Sequence, residues 1–128
     1  IPRNPTVPTA ETLNAFVARV VSGDHAGAIE DFYTETATMQ ENGGTPRVGR
    51  AVLVAHENAA LARAKAVDSE CVGPVFVSGD HVVIRWIFVF HGHDGRKTRI
   101  EELAYQRWEG ERIAQETFFC DPAQFKPV

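Results

Sequence analysis

Two glutamates in the last third of the chain, Glu102 and Glu116, have a spacing that could support acid–base chemistry. Strand alternation puts Gln106 on the same face as Glu102. If the turn at Glu109-Gly110 contains a β-bulge, the two glutamates become direct cross-strand neighbours, with Cβ atoms about 5 Å apart. Two carboxylates in an apolar cavity cannot both ionise cheaply, so one would have a raised pKa and act as a general acid. The alternative is that both lie at a rim or on an outer face, paired with arginines.

Two further acids lie at the ends of predicted strands. Glu41 ends a short β-prone segment before the turn residues 42–44. It is either a base at a pocket mouth or an exposed loop acid. Asp121 follows an apolar strand and precedes Pro122, where its carboxylate is either catalytic or accepts a backbone N–H in a turn. With the glutamate pair, these acids complete the set of predicted catalytic residues.

Apolar and aromatic residues predict the wall of a ligand pocket, because small-molecule sites are mostly apolar with few polar groups. His56 lies on the apolar stripe of a predicted helix, where it either lines the pocket or is a hydrogen-bonded core histidine. The predicted ligand-binding residues are Phe16, His56, Trp86, Phe88, Gln106, Trp108 and Phe118.

Other catalytic and metal-binding motifs find little support in the sequence. His91 and His93 could present two imidazoles, but they lie in a Gly-rich turn with no third ligand nearby in sequence, so we expect no metal and no cofactor. None of Ser22, Ser69 and Ser78 lies in a Gly-x-Ser-x-Gly motif, so the sequence does not favour a serine hydrolase.

Hydrophobic periodicity predicts the elements that position these residues. Helical spacing predicts a helix between Thr9 and Gly23, a second through about Tyr33 and a third over about residues 50–65. Strands are predicted near 36–40, 67–78, 81–91, 96–109 and 111–121. The gaps between the last four strands are short and contain glycine, so consecutive strands should be antiparallel neighbours. The order ααβαββββ indicates the α+β class.

Composition and charge predict one soluble domain spanning 1–128, in which the proline-rich residues 1–8 form an extended arm. The net charge of −4 and the absence of a basic stripe disfavour nucleic-acid and anionic-membrane binding. The chain contains no apolar run of about 20 residues and no signal-peptide core, so we expect a cytoplasmic protein. Cys71 and Cys120 are interpreted as free, buried small hydrophobes.

Two segments resemble the NTF2-like superfamily, the fold of ketosteroid isomerase and of SnoaL-like polyketide cyclases. Gly23-Asp24 followed by Ala28–Met39 resembles its opening, and residues 112–121 resemble its last strand. The resemblance implies a cystatin/NTF2-like, cone-shaped barrel with helices packed on a curved antiparallel sheet. It also implies an apolar pocket for a small hydrophobic organic molecule, serving a cofactor-free isomerase, cyclase or dehydratase. The alternative is a non-catalytic ligand-binding or dimeric assembly domain.

The resemblance also suggests roles for single positions. The base of ketosteroid isomerase falls at Glu41, its oxyanion tyrosine at Phe16 and its protonated aspartate at or near Ala104. Phe16 and Ala104 have no group that could donate a hydrogen bond, so ketosteroid isomerisation is not expected. SnoaL-like members commonly place an acid near the end of the last strand, and Asp121 matches that position.

The strand at 82–90 predicts self-association. Its even positions are all apolar, and its odd positions are apolar except for Arg85. A strand that is apolar on both faces is covered on both faces. A second copy of the chain is the simplest cover for the outer face, so we expect a homodimer packed through the sheet, with Arg85 on the dimer face.

Overall fold

The structure, a computed structural model, describes residues 8–125, so residues 1–7 of the predicted arm lie outside the described part. The helices are α1 (Ala10–Val21), α2 (His25–Phe32) and α3 (Arg50–Ala62). The strands are β1 (Tyr33–Glu41), β2 (Arg47–Val48), β3 (Ala64–Ser78), β4 (His81–Gly92), β5 (Lys97–Glu109) and β6 (Arg112–Phe119). The predicted α+β class and element order are confirmed. The structure adds only β2 and a 3₁₀ turn at Pro122–Phe125, which are too short to produce a periodic pattern.

All six strands form one curved, open sheet in the order β2-β1-β6-β5-β4-β3. As the short gaps predicted, β3 to β6 are consecutive antiparallel neighbours. β1 pairs parallel with β6 and antiparallel with β2. Gly79 and Gly110 in the hairpin turns have φ angles of 59° and 61°, which glycine adopts without steric cost.

The boundary between α2 and β1 matters for the site. The prediction continued the helix through Tyr33 and began the strand at residue 36, whereas α2 ends at Phe32 and Tyr33 is the first residue of β1. The run Tyr33-Thr34-Glu35-Thr36 contains aromatic and β-branched residues that favour extended backbone. Tyr33 therefore lies in the sheet, opposite Ile113 of β6, with its side chain buried.

The hydrophobic core lies between the inner face of the sheet and the three helices. Phe16 of α1 meets Trp108 of β5 edge to face, with ring centroids 5.8 Å apart. On β4, Trp86 and Phe88 stack at 5.6 Å. Side chains at alternate positions of β4 and β5 point into this core, as strand parity predicted.

The outer face of the sheet carries apolar side chains with large exposed areas. Four of them, which we call the outer patch, are about half exposed or more: Phe76, Leu103, Tyr105 and Phe119. Cross-strand pairing places them in two adjacent rows across β3 to β6. Arg85 lies among them, exposed on the outer face, and pairs with Glu101; its position on a dimer face stays a prediction.

Two further expectations concern the cysteines and the membrane. Cys71 and Cys120 are free and only partly buried. Among the helices of residues 8–125, none has both the length and the apolar character needed to cross a bilayer.

Candidate acid–base site in an apolar cavity

A cavity of about 340 Å³ opens between the inner face of the sheet and the helices. This volume lies at the lower end of the range of small-molecule sites, about 300–1,000 Å³. Its wall is mainly apolar and includes rings from Phe16, Trp86, Phe88, Phe90, Phe118 and Phe125. The ionisable side chains that reach it are His25, Tyr33, Glu41, Arg47, His56, Glu57, Arg63, Glu102 and Glu116.

Glu116 of β6 is the most deeply buried acid of the cavity, with 1% of its surface exposed. The Tyr33 hydroxyl donates to its Oε1, and the Gln106 amide donates to its Oε2 at 2.6 Å. Trp108 Nε1 in turn donates to Gln106 Oε1 at 3.0 Å, which fixes the amide orientation. Burial raises the pKa of Glu116 to about 7, and the two hydrogen bonds to its charged form limit the rise.

Tyr33 remains a hydrogen-bond donor at neutral pH. Burial, followed by the charge of Glu116, raises the pKa of the Tyr33 hydroxyl well above its ordinary value. A protonated phenol beside a buried carboxylate therefore donates its hydrogen to the acid.

The predicted pairing of Glu102 with Glu116 is wrong. The expected bulge exists, between Arg107 and Trp108, but beyond it Glu116 lies directly opposite Gln106. Glu102 is four residues further along β5, so the direct cross-strand partner is an amide and not an acid. Strand parity was correct, because both glutamates point to the inner face and line the cavity.

Glu102 is the second acid with an altered titration. Burial, followed by the charges of Glu116, Glu41 and Glu57, raises the pKa of Glu102 to about 8. Within residues 8–125, neither Glu102 nor Glu116 belongs to any ion pair. Two carboxyl groups with pKa values near neutrality thus share one apolar cavity. Such a pair can hold one proton and release another at the same pH.

Glu41 lies at the cavity mouth, where it was expected, but it is not free. Arg47 Nη2 of β2 lies 3.1 Å from Glu41 Oε1. The Arg47 Nε atom is buried and has no hydrogen-bond partner among the described residues. Because a buried donor without an acceptor costs free energy, Arg47 Nε is suited to donate to an oxygen of a bound molecule.

The other predicted residues divide into two groups. Five predicted ligand-binding side chains line the cavity: Phe16, His56, Trp86, Phe88 and Phe118. Gln106 and Trp108 do not line it; both are fully buried behind Glu116. Asp121 does not line it either, and its carboxylate accepts the Ala123 N–H at 3.0 Å, as in the turn alternative.

Sequence reasoning missed five polar residues of the cavity: His25, Tyr33, Arg47, Glu57 and Arg63. Tyr33 was interpreted as an inward-facing apolar residue, and its hydroxyl received no role. His25 Nδ1 lies 3.1 Å from Glu57 Oε1, although the two residues are far apart in sequence. The N-terminal position of His25 in α2 was the only local signal, and it does not reveal a partner on α3.

No three His, Cys, Asp or Glu side chains of residues 8–125 are arranged as ligands for a metal ion. The cavity combines hydrogen-bonded polar pairs and buried acids with an apolar wall. This arrangement suits the binding and protonation of an organic molecule.

Comparison with known proteins defines the family. Residues 13–116 match the model of the SnoaL-like domain, and none of the curated proteins matches the chain. An NTF2-like protein of unknown function from Cytophaga hutchinsonii is 18% identical (TM-score 0.69; 87% of this chain, 97% of that chain). A protein with a ketosteroid isomerase-like fold from Catenulispora acidiphila, solved with trimethylamine, is 19% identical (TM-score 0.75; the alignment covers 91% of this chain and 90% of that chain). An NTF2-like protein of unknown function from Burkholderia pseudomallei is 12% identical (TM-score 0.75; the alignment covers 89% of this chain and 91% of that chain).

At such identities the solved structures establish the fold and not the activity. The family match runs from Leu13, within α1, to Glu116 and thus covers nearly all elements that build the cavity. The chain therefore belongs to the family of SnoaL-like domains and has their NTF2-like fold.

Proposed function

We propose that the protein is a cofactor-free acid–base enzyme of the isomerase, cyclase or dehydratase type, acting on a small, largely apolar carbonyl compound. One observation carries this proposal. Glu102 and Glu116 share an aromatic cavity without an ion-pair partner in residues 8–125, and their pKa values are raised to about 8 and about 7. A general acid and a general base work best when their pKa values lie near the working pH.

The two acids have separate roles. Near pH 7, the ionised form of Glu116 is accessible and removes a proton from a carbon next to the substrate carbonyl. Glu102 is mostly protonated at that pH and donates to the enolate oxygen that forms. In an isomerisation, Glu116 returns its proton to another carbon of the substrate, and the oxygen returns its proton to Glu102. Tyr33 and Gln106 hold Glu116 in place throughout.

Exchange of α-hydrogens tests this mechanism without knowledge of the natural substrate. We expect wild-type protein in D₂O to accelerate deuterium uptake at the α-carbons of 2-tetralone, followed by NMR. Glu116→Gln keeps the side-chain shape and removes the base, so it should lower the rate by about 100-fold. Glu101→Gln alters the neighbour of Glu102 on the outer face and is the matched control. Equal rates for wild type and Glu116→Gln would exclude Glu116 as the base.

The second candidate is a binding domain for a small amine cation. Glu102 and Glu116 belong to no ion pair among the described residues, and the aromatic residues Trp86, Phe88 and Phe118 line the same cavity. Aromatic rings attract cations to their faces. The trimethylamine complex of the Catenulispora acidiphila structure supports this alternative for the fold. Calorimetric titration with trimethylammonium chloride should then show binding that Glu102→Gln weakens, while 2-tetralone exchange stays at the background rate.

Self-association through the sheet belongs to the same proposal. The outer patch of Phe76, Leu103, Tyr105 and Phe119 supports a homodimer in which two such faces meet. Exposed apolar side chains clustered on one face mark interaction surfaces, and a two-fold axis makes such a surface self-complementary. The proposed dimer leaves the cavity on the opposite face of the sheet accessible.

A further inference from the structure

A second polar cluster lies beside the acid pair and has no role in the proposed acid–base mechanism. It joins three elements: His25 at the start of α2, Glu57 of α3 and Ser69 of β3. His25 Nδ1 lies 3.1 Å from Glu57 Oε1, and His25 Nε2 lies 2.8 Å from Ser69 Oγ. His25 is 7% exposed, and its ring packs against Phe88 with centroids 5.2 Å apart.

For a neutral imidazole, the two hydrogen bonds favour one tautomer. An ionised carboxylate can only accept, so His25 Nδ1 carries the hydrogen that Glu57 receives. In the neutral ring Nε2 is then an acceptor, and the Ser69 hydroxyl must be the donor. This is the arrangement of nucleophile, general base and base-orienting acid that activates a serine.

We propose that Ser69 is a nucleophile for acyl transfer from small esters, with His25 as its general base and Glu57 as the positioning residue. The sequence around Ser69, Val67-Asp68-Ser69-Glu70-Cys71, has no nucleophile-elbow motif, so this site is visible only in the fold. A triad of this kind is defined by its geometry and recurs on unrelated folds in different chain orders.

Ser69 lies next to the cavity, although it is not one of the residues that line it. Ser69 is partly exposed and lies opposite Phe88, while Phe88, His25 and Glu57 all line the cavity.

The reaction is balanced within the cluster. Ser69 Oγ forms a bond to the ester carbonyl carbon, and its proton moves to His25 Nε2. The carbon–oxygen bond to the leaving group breaks, and the leaving alkoxide takes that proton. Water then attacks the acyl-serine through the same base, which releases the carboxylic acid and restores Ser69. No cofactor, oxidant or reductant takes part.

A fluorophosphonate probe tests the nucleophile directly. Ser69 Oγ would displace fluoride from phosphorus, leaving one phosphonyl group on the protein. We expect intact-mass spectrometry of the native protein to show one added group and peptide mapping to place it on Ser69. Heat-unfolded protein should not react. Failure of the native protein to react, or modification at a residue other than Ser69, overturns the proposal.

Variants distinguish a Ser69 hydroxyl that His25 and Glu57 activate from one that is merely exposed. His25→Gln and Glu57→Gln should each slow labelling of Ser69 by about 100-fold, because a positioned base contributes that much. Ser78→Ala removes an exposed serine of the same strand and should leave labelling unchanged. If both glutamine variants remain folded by circular dichroism and label at the wild-type rate, Ser69 is merely exposed, and the triad is structural.

Discussion

At the scale of single residues, burial raises the pKa of Glu116 and Tyr33 limits that rise. Its hydroxyl donates to a carboxylate that is almost fully buried. Tyr33→Phe keeps the ring and removes this donor, so the pKa of Glu116 should rise above about 7, by about one pH unit. Carbon-13 NMR of labelled glutamate carboxyl groups across a pH series measures the change. Tyr105→Phe removes a hydroxyl from the outer face and should leave the titration unaltered.

Glu102 and Glu116 together make stability depend on pH. Their pKa values in the folded protein, about 8 and about 7, lie above the ordinary 4.5. Between these limits the folded state binds more protons than the unfolded state, so the free energy of unfolding falls as the pH rises. The slope approaches about 1.4 kcal/mol per pH unit for each carboxyl that is protonated only in the folded state. Urea unfolding at pH 5.5, 7 and 8.5 measures this loss.

Replacing Glu102 isolates its contribution to the change in the free energy of unfolding with pH. Glu102→Gln removes the carboxyl with the higher pKa, so the variant should gain stability relative to wild type as the pH increases. Glu101→Gln alters the adjacent residue, which pairs with Arg85 on the outer face, and should not change the slope. A wild-type slope in Glu102→Gln would mean that Glu102 ionises in the ordinary range, and the proposed general acid would lose its basis.

At the scale of elements, hydrophobic periodicity predicted the helices and the long strands and missed the shortest elements. The helices and the four long strands appear in the sequence as spacings of 3.6 and 2 because each buries one face. β2, with two residues, has no period to detect. The α2–β1 boundary was misplaced by a few residues, since helix and strand propensities overlap around Tyr33.

The candidate site was predictable only in part for the same reason. Strand parity correctly placed Glu102, Gln106 and Glu116 on the inner face, but parity is unchanged when a register shifts by four residues. The link between His25 and Ser69 depends on where the tertiary fold places the start of α2 relative to the edge strand, and no local pattern contains that information.

The attachment of α1 to the sheet yields an element-scale prediction. Glu111 in the β5–β6 turn accepts the Thr9 N–H at 2.8 Å and the Thr9 hydroxyl at 2.9 Å, and its charge lies at the helix N-terminus. Glu111→Ala should lower the free energy of unfolding by about 1–2 kcal/mol and speed hydrogen exchange in the first turn of α1. Glu109→Ala, which removes a surface ion pair with Arg107, should cost less than about 0.5 kcal/mol. Similar losses in both variants would refute a specific role for Glu111.

At the scale of the whole molecule, the two faces of one sheet differ in what covers them. The inner face is covered by three helices and encloses the cavity, whereas the outer face exposes the outer patch among residues 8–125. Alternation along β5 makes this division, since Glu102 and Gln106 point inward while Leu103 and Tyr105 point outward. Changes on the outer face can therefore alter assembly without touching the acids.

The proposed dimer gives the last prediction. Leu103 lies within the outer patch next to Arg85, so Leu103→Lys would bury an unpaired charge at a two-fold interface, at a cost of several kcal/mol. Light scattering after size exclusion should give wild type a mass of twice 14.1 kDa and the variant a mass near 14.1 kDa. Val52→Lys places the same charge on the exposed side of α3 and should stay dimeric. A monomeric wild type, or a dimeric Leu103→Lys, would show that the patch is not the interface.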